Sequence, residues 1–223
     1  RIRDWTSAAM RNEKVRGILL RLNSFGGEVD GVFDAADVIR EAAKAKPVWA
    51  SVDDNAFSAA YLLASQADRI YTTRTGGVGS VGVIAAHYDF SRWLNKEGIV
   101  PTLITFGARK ADFSPELPLS PEAREKLQGE VNRFGMQFVE YVAQARRLTA
   151  SAVRATEADW YTGEDGITAG FADVLYASTE ELIALARSMA RRGGLYFSHI
   201  RGEAAMLEDA IAEAIRIGEE GGV

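Results

Sequence analysis

Short apolar runs alternate with amphipathic helical patterns along this chain. Gly17-Ile18-Leu19-Leu20-Arg21-Leu22 and Pro47-Val48-Trp49-Ala50-Ser51-Val52 are too short for helices and predict buried strands. Arg69-Ile70-Tyr71-Thr72-Thr73, Pro101 to Phe106, and Phe171-Ala172-Asp173-Val174-Leu175 read in the same way. Between them, Val32 to Lys44 sets Val32, Ala35, Ala36, Ile39 and Ala43 on one side of a helix. Residues 4–14 read as the end of a helix, with Trp5, Ala8 and Ala9 on one face. Further helices are predicted from Ser58 to about Ala64, from Ser91 to Glu97 with Gly98 as its stop, and from Thr179 to Met189. The longest runs from Pro121 to Thr149, where Leu127, Val131, Phe134, Phe138, Tyr141, Val142 and Ala145 make a continuous stripe. Trp160 to Gly170 reads as a turn and a short helix. Strands spaced by helices predict an α/β fold of mostly parallel strands joined by helical crossovers.

Length and composition narrow this picture without changing it. At 223 residues the chain suits one domain, or one plus an appendage, with room for a substantial core. A net charge of −5 with scattered basic residues argues against a nucleic-acid surface. With no cysteine there is no disulfide frame, thiolate metal site or cysteine nucleophile. No apolar run reaches the length of about 18 residues that reads as a membrane span. The opening Arg1-Ile2-Arg3-Asp4-Trp5 has no initiator Met and no signal-peptide core, so a product that starts further upstream is expected.

The chemistry centres on Phe57-Ser58-Ala59-Ala60-Tyr61. A serine at a strand-to-helix turn among small residues exposes its hydroxyl and lies near helix-start N–H groups. It is a poor nucleophile unless a base takes its proton. Read locally, Ser58 is better explained as a helix N-cap. Gly26-Gly27, after one strand and before a helix, offer backbone N–H groups to an oxyanion, or simply a turn. Lys110, in Gly107-Ala108-Arg109-Lys110, is a candidate base, because burial and neighbouring positive charge favour a neutral amine. Phe106, Phe113 and Arg109 are compatible with that role, and a solvated loop lysine is the plain alternative. His87, with Asp173, is a rival base, though its strand-end setting favours a structural role. His199 lies in a different kind of segment, and no His, Asp or Glu pair has metal-ligand spacing. Gly76 to Gly82 lacks both the phosphate-loop and the dinucleotide-binding pattern.

Four motifs in order carry a resemblance: Leu20-Arg21-Leu22-Asn23-Ser24-Phe25-Gly26-Gly27, Phe57-Ser58-Ala59-Ala60-Tyr61, Gly79-Ser80-Val81-Gly82-Val83 and Gly107-Ala108-Arg109-Lys110. From about Trp5 to Ala190 the chain resembles the signal peptide peptidase A family. These are Ser/Lys peptidases with the Clp protease and crotonase-like fold of repeated ββα units. The resemblance implies Ser58 as nucleophile, Lys110 as general base and Ser80 as the hydroxyl that orients the lysine. It implies Gly27 with Gly26, and a backbone N–H at Ala59, as the oxyanion hole, with no metal or cofactor. Phe25 stands where the family usually has proline. Asp68-Arg69-Ile70-Tyr71, His87-Tyr88-Asp89-Phe90-Ser91, Leu117-Pro118-Leu119-Ser120 and Ala155-Thr156-Glu157-Ala158 are similar to the phage and prophage head-protease branch. That branch implies a capsid-maturation protease cutting scaffold or head proteins, in the host cytoplasm or the prohead interior. It also implies a homo-oligomer whose lysine can come from the neighbouring protomer. Peptide degradation of the signal-peptide-peptidase kind, an inactive assembly component and an acyl-thioester enzyme of the crotonase type are the alternatives.

Arg191-Arg192-Gly193-Gly194 reads as a junction, giving a peptidase domain over residues 1–190 and an appended tail over 191–223. From Gly193 onward the chain resembles one strand-helix unit of a D-aminoacylase-type amidohydrolase. One such unit closes no barrel and completes no metal site.

Overall fold

The fold was analysed in a computed structural model, which describes residues 2–176, 184, 187 and 195–196. In chain order the elements are α1 (Ile2–Arg11), β1 (Ile18–Ser24), α2 (Val32–Ala45), β2 (Val48–Phe57), α3 (Ala59–Ser65), β3 (Arg69–Thr72), β4 (Gly77–Gly79), α4 (Ser91–Lys96), α5 (Pro121–Arg146), α6 (Ala150–Arg154), β5 (Trp160–Thr162), α7 (Gly163–Thr168), β6 (Val174–Leu175) and β7 (Leu195–Tyr196). The chain divides into two units, one of residues 1–82 with 138–223 and one of residues 83–137.

The first unit is built on one sheet, ordered β5-β4-β2-β1-β7, with β3 against β2 and β6 against β3. All pairs are parallel except β4–β5. The long strand β2 divides the sheet. Its first half, Trp49–Val52, pairs with β3, and its last residues, Asn55–Phe57, pair with β4. Along its other edge β2 follows β1 with a bulge: between Leu22↔Val52 and Ser24↔Ala56, β1 advances two residues and β2 four. A bulge of this kind bends a strand and re-aims the residues beyond it.

Charged groups pin that bend. Arg21 Nε lies 2.6 Å from Asp53 Oδ2, with both side chains buried. Tyr176 donates its hydroxyl to Asp53 Oδ1 at 2.5 Å and accepts from Ser51 Oγ at 2.8 Å. Thr73 Oγ1 donates to the Asp53 carbonyl at 2.9 Å, and Asn23 Nδ2 to Asp54 Oδ2 at 2.8 Å. Burial, and then the adjacent Asp53 carboxylate, push the Tyr176 phenol far above its ordinary value. It therefore stays a donor.

The predicted apolar faces find their places around this sheet. Ala36, Ile39 and Ala42 of α2 are fully buried, as are Val48, Ala50 and Val52 of β2 and Ile70 of β3. Tyr61 stacks on Phe171 with centroids 5.0 Å apart and donates to its carbonyl at 3.0 Å. Of the α5 stripe only Phe138 and Val142 are buried, both in the part of the helix that belongs to the first unit. Arg146, near its end, makes a two-pronged bond to Asp173 at 2.8 and 3.0 Å and donates to the Gly170 carbonyl.

Several expectations are corrected. Pro101–Phe106 is not a strand: it has no partner strand among the described residues, and Leu103, Ile104 and Phe106 are exposed. A strand needs a neighbour to satisfy its backbone. Trp160–Thr162 is a strand rather than a turn, because β4 offers it an antiparallel edge. Only Val174–Leu175 of the 171–175 run is strand. The helix expected from Thr179 and the tail helix lie outside the described residues, while Leu195–Tyr196 pair in parallel with Ile18–Leu19 of β1.

The second unit has a different character. It holds α4, the start of α5 and a series of turns from Ser114 back to Gly107. Large apolar side chains stand open on it: Ile84, Val100, Ile104 and Phe106 are all at least 80 % exposed.

Candidate active site

The C-terminal ends of β1, β2 and β4 converge on Ser58. The register Phe57↔Gly79 makes Ser58 and Ser80 the next residues of adjacent parallel strands. The Ser58 N–H donates to the Gly79 carbonyl at 2.9 Å. On the opposite edge of β2, Ser24↔Ala56 brings the glycine pair alongside. Gly26 sits at φ 108°, and a Cβ there would lie 2.7 Å from the Ser58 Cβ and 2.9 Å from the Phe57 carbonyl. Only a glycine fits that approach.

Ser58 is held at φ 50°, ψ −123°, outside the ordinary regions for a non-glycine residue. An N-cap serine has extended backbone and bonds the first helical N–H groups through its oxygen. Ser58 does neither: it makes no side-chain cap bond to α3. The local N-cap reading is thereby overturned, and the half-buried hydroxyl is left for other chemistry. Strain of this kind collects where geometry serves function.

The backbone N–H groups next to Ser58 are only partly committed. The Gly26 N–H is taken by Ser24 Oγ at 3.2 Å. Gly27 is exposed, with nothing within 4 Å of a Cβ placed on it. Ala59 is the first residue of α3, so its N–H has no acceptor within the helix. Ser80 is also at positive φ, 55°, and its N–H donates to the Asp159 carbonyl at 2.8 Å. Glu157 and Ala158, both at positive φ, form the turn behind it, and a Cβ on Gly82 would meet Ala158 Cβ at 2.7 Å. Beside Gly26, Gly27 and Ala59 opens an apolar cavity of about 230 Å³, walled by Trp5, Leu20 and Leu63.

Lys110 belongs to the second unit, in a turn where its N–H donates to the Gly107 carbonyl at 3.1 Å. It is exposed, and so is Phe106, which the sequence left compatible with a base role for the lysine. Arg109 pairs with Asp112 at 2.5 Å. Each member of the rival pair has partners of its own. Asp173 is occupied by Arg146 and by the Ile70 N–H at 2.7 Å, and His87 Nε2 lies 3.2 Å from the Leu117 carbonyl. Burial alone would raise the Asp173 carboxyl, but Arg146 and the Ile70 N–H outweigh it and hold it below the usual carboxylate range. His199 lies outside the described residues. The described residues hold no His, Asp or Glu group arranged for a metal ion, and no helix long and apolar enough to cross a membrane.

Sequence reasoning missed two features. Arg21 and Asp53 interrupt apolar strands, which was the available signal for a buried pair. Phe25, Phe57 and Trp160 form a row of rings beside Ser58, with centroids 5.9 and 5.5 Å apart. Its signal was an aromatic residue directly before both Gly26 and Ser58.

The family model described as "Peptidase family S49" matches residues 40–198. The chain belongs to peptidase family S49. The expected signal peptide peptidase A family and its phage branch are thereby met. The S49 chain is 38% identical over 203 residues to the head-tail preconnector protein GP5 of Enterobacteria phage P21, covering 90% of this chain and 40% of that protein. It is 39% identical over 177 residues to the capsid assembly protease C of Escherichia phage lambda, covering 79% of this chain and 40% of that one. It thus spans about 40% of the length of these relatives. Among solved structures, a membrane-bound stomatin-specific protease aligns at TM-score 0.55 and 15% identity, over 83% of this chain and 76% of that one. That likeness concerns the fold, which is α/β of the Clp protease and crotonase-like kind.

Proposed function

We propose that this S49 chain is the catalytic part of a serine endopeptidase of phage head maturation, working through a Ser58/Lys110 dyad. The observation that carries the reading is Ser58 itself. It is strained, free of any capping bond and wedged against Gly26 where three strands end. In the proposed cycle Ser58 Oγ attacks a peptide carbonyl while neutral Lys110 takes its proton and passes it to the leaving amine. Ser80 orients the lysine amine. The N–H groups of Gly27 and Ala59 receive the oxyanion, with Gly26 fixing the close approach. Water then releases the acyl group. Every step balances without metal or cofactor.

The capsid assembly protease and head-tail preconnector relatives support scaffold or head proteins as substrates. The cavity beside Gly27 supports an apolar side chain next to the scissile bond. An exposed Lys110 among exposed apolar residues supports a homo-oligomer, in which a second copy buries the lysine and supplies it to the neighbour's serine.

The test is cleavage of casein by the purified chain. Ser58→Ala and Lys110→Ala are each expected to lower turnover by about three orders of magnitude or more, with unchanged circular dichroism. Substantial turnover by either folded variant rejects the dyad. No cleavage by the parent protein under conditions where it assembles favours an assembly component instead.

A further inference from the structure

We infer that Phe25, Phe57 and Trp160 form a substrate shelf that receives a second apolar side chain of an extended peptide, apart from the cavity beside Gly27. The inference rests on the peptidase reading and adds a specificity site to it. Its origin lies in the glycines of β4. Phe57, Gly79 and Trp160 are register partners in a row across β2, β4 and β5. Side chains in such a row share one face of the sheet. The Phe57 and Trp160 rings on the outer two strands stand 5.5 Å apart. Gly77 deepens the seat: a Cβ there would lie 2.4 Å from the Phe57 ring. Phe25 extends the row from the β1 side at 5.9 Å.

The row is open. Phe25 is 76% exposed and Trp160 54%. Scattered exposed aromatics need no explanation, whereas adjoining ones beside a reactive group mark a binding surface. Phe57 directly precedes Ser58, and Phe25 directly precedes Gly26, so any polypeptide held at Ser58 passes this surface. None of the three rings lines the apolar cavity, so the two sites select separate side chains. An extended peptide suits the setting for a second reason. Among the described residues β5 ends its side of the sheet, and an edge strand accepts an added strand through backbone hydrogen bonds.

Fluorogenic peptides that carry Phe or Asn at one position at a time test the shelf in the full chain. At one position the parent is expected to prefer Phe about tenfold in kcat/KM, through KM. Phe25→Ala and Trp160→Ala should each remove that preference while kcat on the Asn peptides stays within about twofold. Binding is read without turnover in Ser58→Ala, where the preferred Phe peptide should change tryptophan fluorescence. The excess of that change over the one given by the Asn peptide should persist in Trp5→Phe, Trp49→Phe and Trp93→Phe and vanish in Trp160→Phe, which keeps an aromatic ring and the fold. A preference unaltered in both alanine variants overturns the shelf. So does a shift of oligomeric state in them without loss of preference, which would make the rings a contact between copies. Ser58→Ala retaining turnover would instead reject the peptidase reading, so the two failures are distinct.

Discussion

Gly26 and Gly27 adjoin in sequence but differ in what surrounds them, and that difference makes the site testable at single residues. A methyl on Gly26 meets Ser58 Cβ at 2.7 Å, on a backbone at φ 108° that L-residues avoid. Gly26→Ala is therefore expected to cost about 1–3 kcal/mol, read as the shift in urea midpoint, and to abolish cleavage. Gly27→Ala meets nothing within 4 Å and keeps its N–H, so its midpoint should move by less than about 0.5 kcal/mol. Equal effects would mean that the close approach to Ser58 is not what Gly26 supplies. At this scale the sequence spoke through residue types more than geometry. Serine before a helix fits an N-cap, and nothing near Ser58 in the chain contradicts that. The φ of 50° goes with the close approach of Gly26 and the bond to the Gly79 carbonyl, both far away in sequence, and local patterns do not register such neighbours. The four motifs in order carried the family resemblance because three of them sample β1, β2 and β4 together.

Elements are positioned by two charged clamps, and each gives a prediction. The β1–β2 bulge that aims both the Gly26 turn and Ser58 is tied by Asp53 to Arg21 and Tyr176. Asp53→Ala leaves a buried guanidinium without this carboxylate. It is expected to cost about 3–5 kcal/mol by urea denaturation, well above the loss for an exposed pair such as Lys44–Glu41. The second clamp, Arg146–Asp173, joins the end of α5 to the approach to β6. Because the Asp173 carboxyl is held below its usual range, the folded chain takes up that proton less readily than the unfolded chain. The stabilisation is complete above about pH 4 and disappears as pH falls through the lower folded value. Between pH 7 and pH 3 the parent should accordingly lose more stability than Asp173→Asn, and parallel losses would contradict the assignment. Strands with sustained apolar runs, and the helices α2 and α5, were legible from periodicity. Trp160–Thr162 and Pro101–Phe106 were misread for one shared reason. Whether a short run becomes a strand depends on a free edge to pair with, which β4 gives the former and no strand among the described residues gives the latter.

For the molecule as a whole, the α/β class followed from alternating elements, but the division of the sheet by β2 did not. That division comes from one strand serving three neighbours, a long-range fact with no local pattern. Nor did the sequence show that the unit carrying Lys110 would leave Ile84, Val100, Ile104 and Phe106 at least 80 % exposed. Apolar surface on this scale costs free energy in water and favours association. If the association also completes the dyad across copies, two inactive proteins can restore each other. A Ser58→Ala chain retains Lys110, and a Lys110→Ala chain retains Ser58. Mixed in one assembly, they form some junctions with both groups intact. Mixing equal amounts, with a denaturation and refolding step to exchange subunits, should then recover a clear fraction of parental casein cleavage, up to about a quarter if half the chains carry each lesion and neighbours are random. Recovery should rise with total protein concentration and fail when Ile104→Glu and Phe106→Glu are present in both chains, since charge on the contact opposes assembly. If the dyad forms within one chain, every site carries a lesion and mixing restores nothing at any concentration.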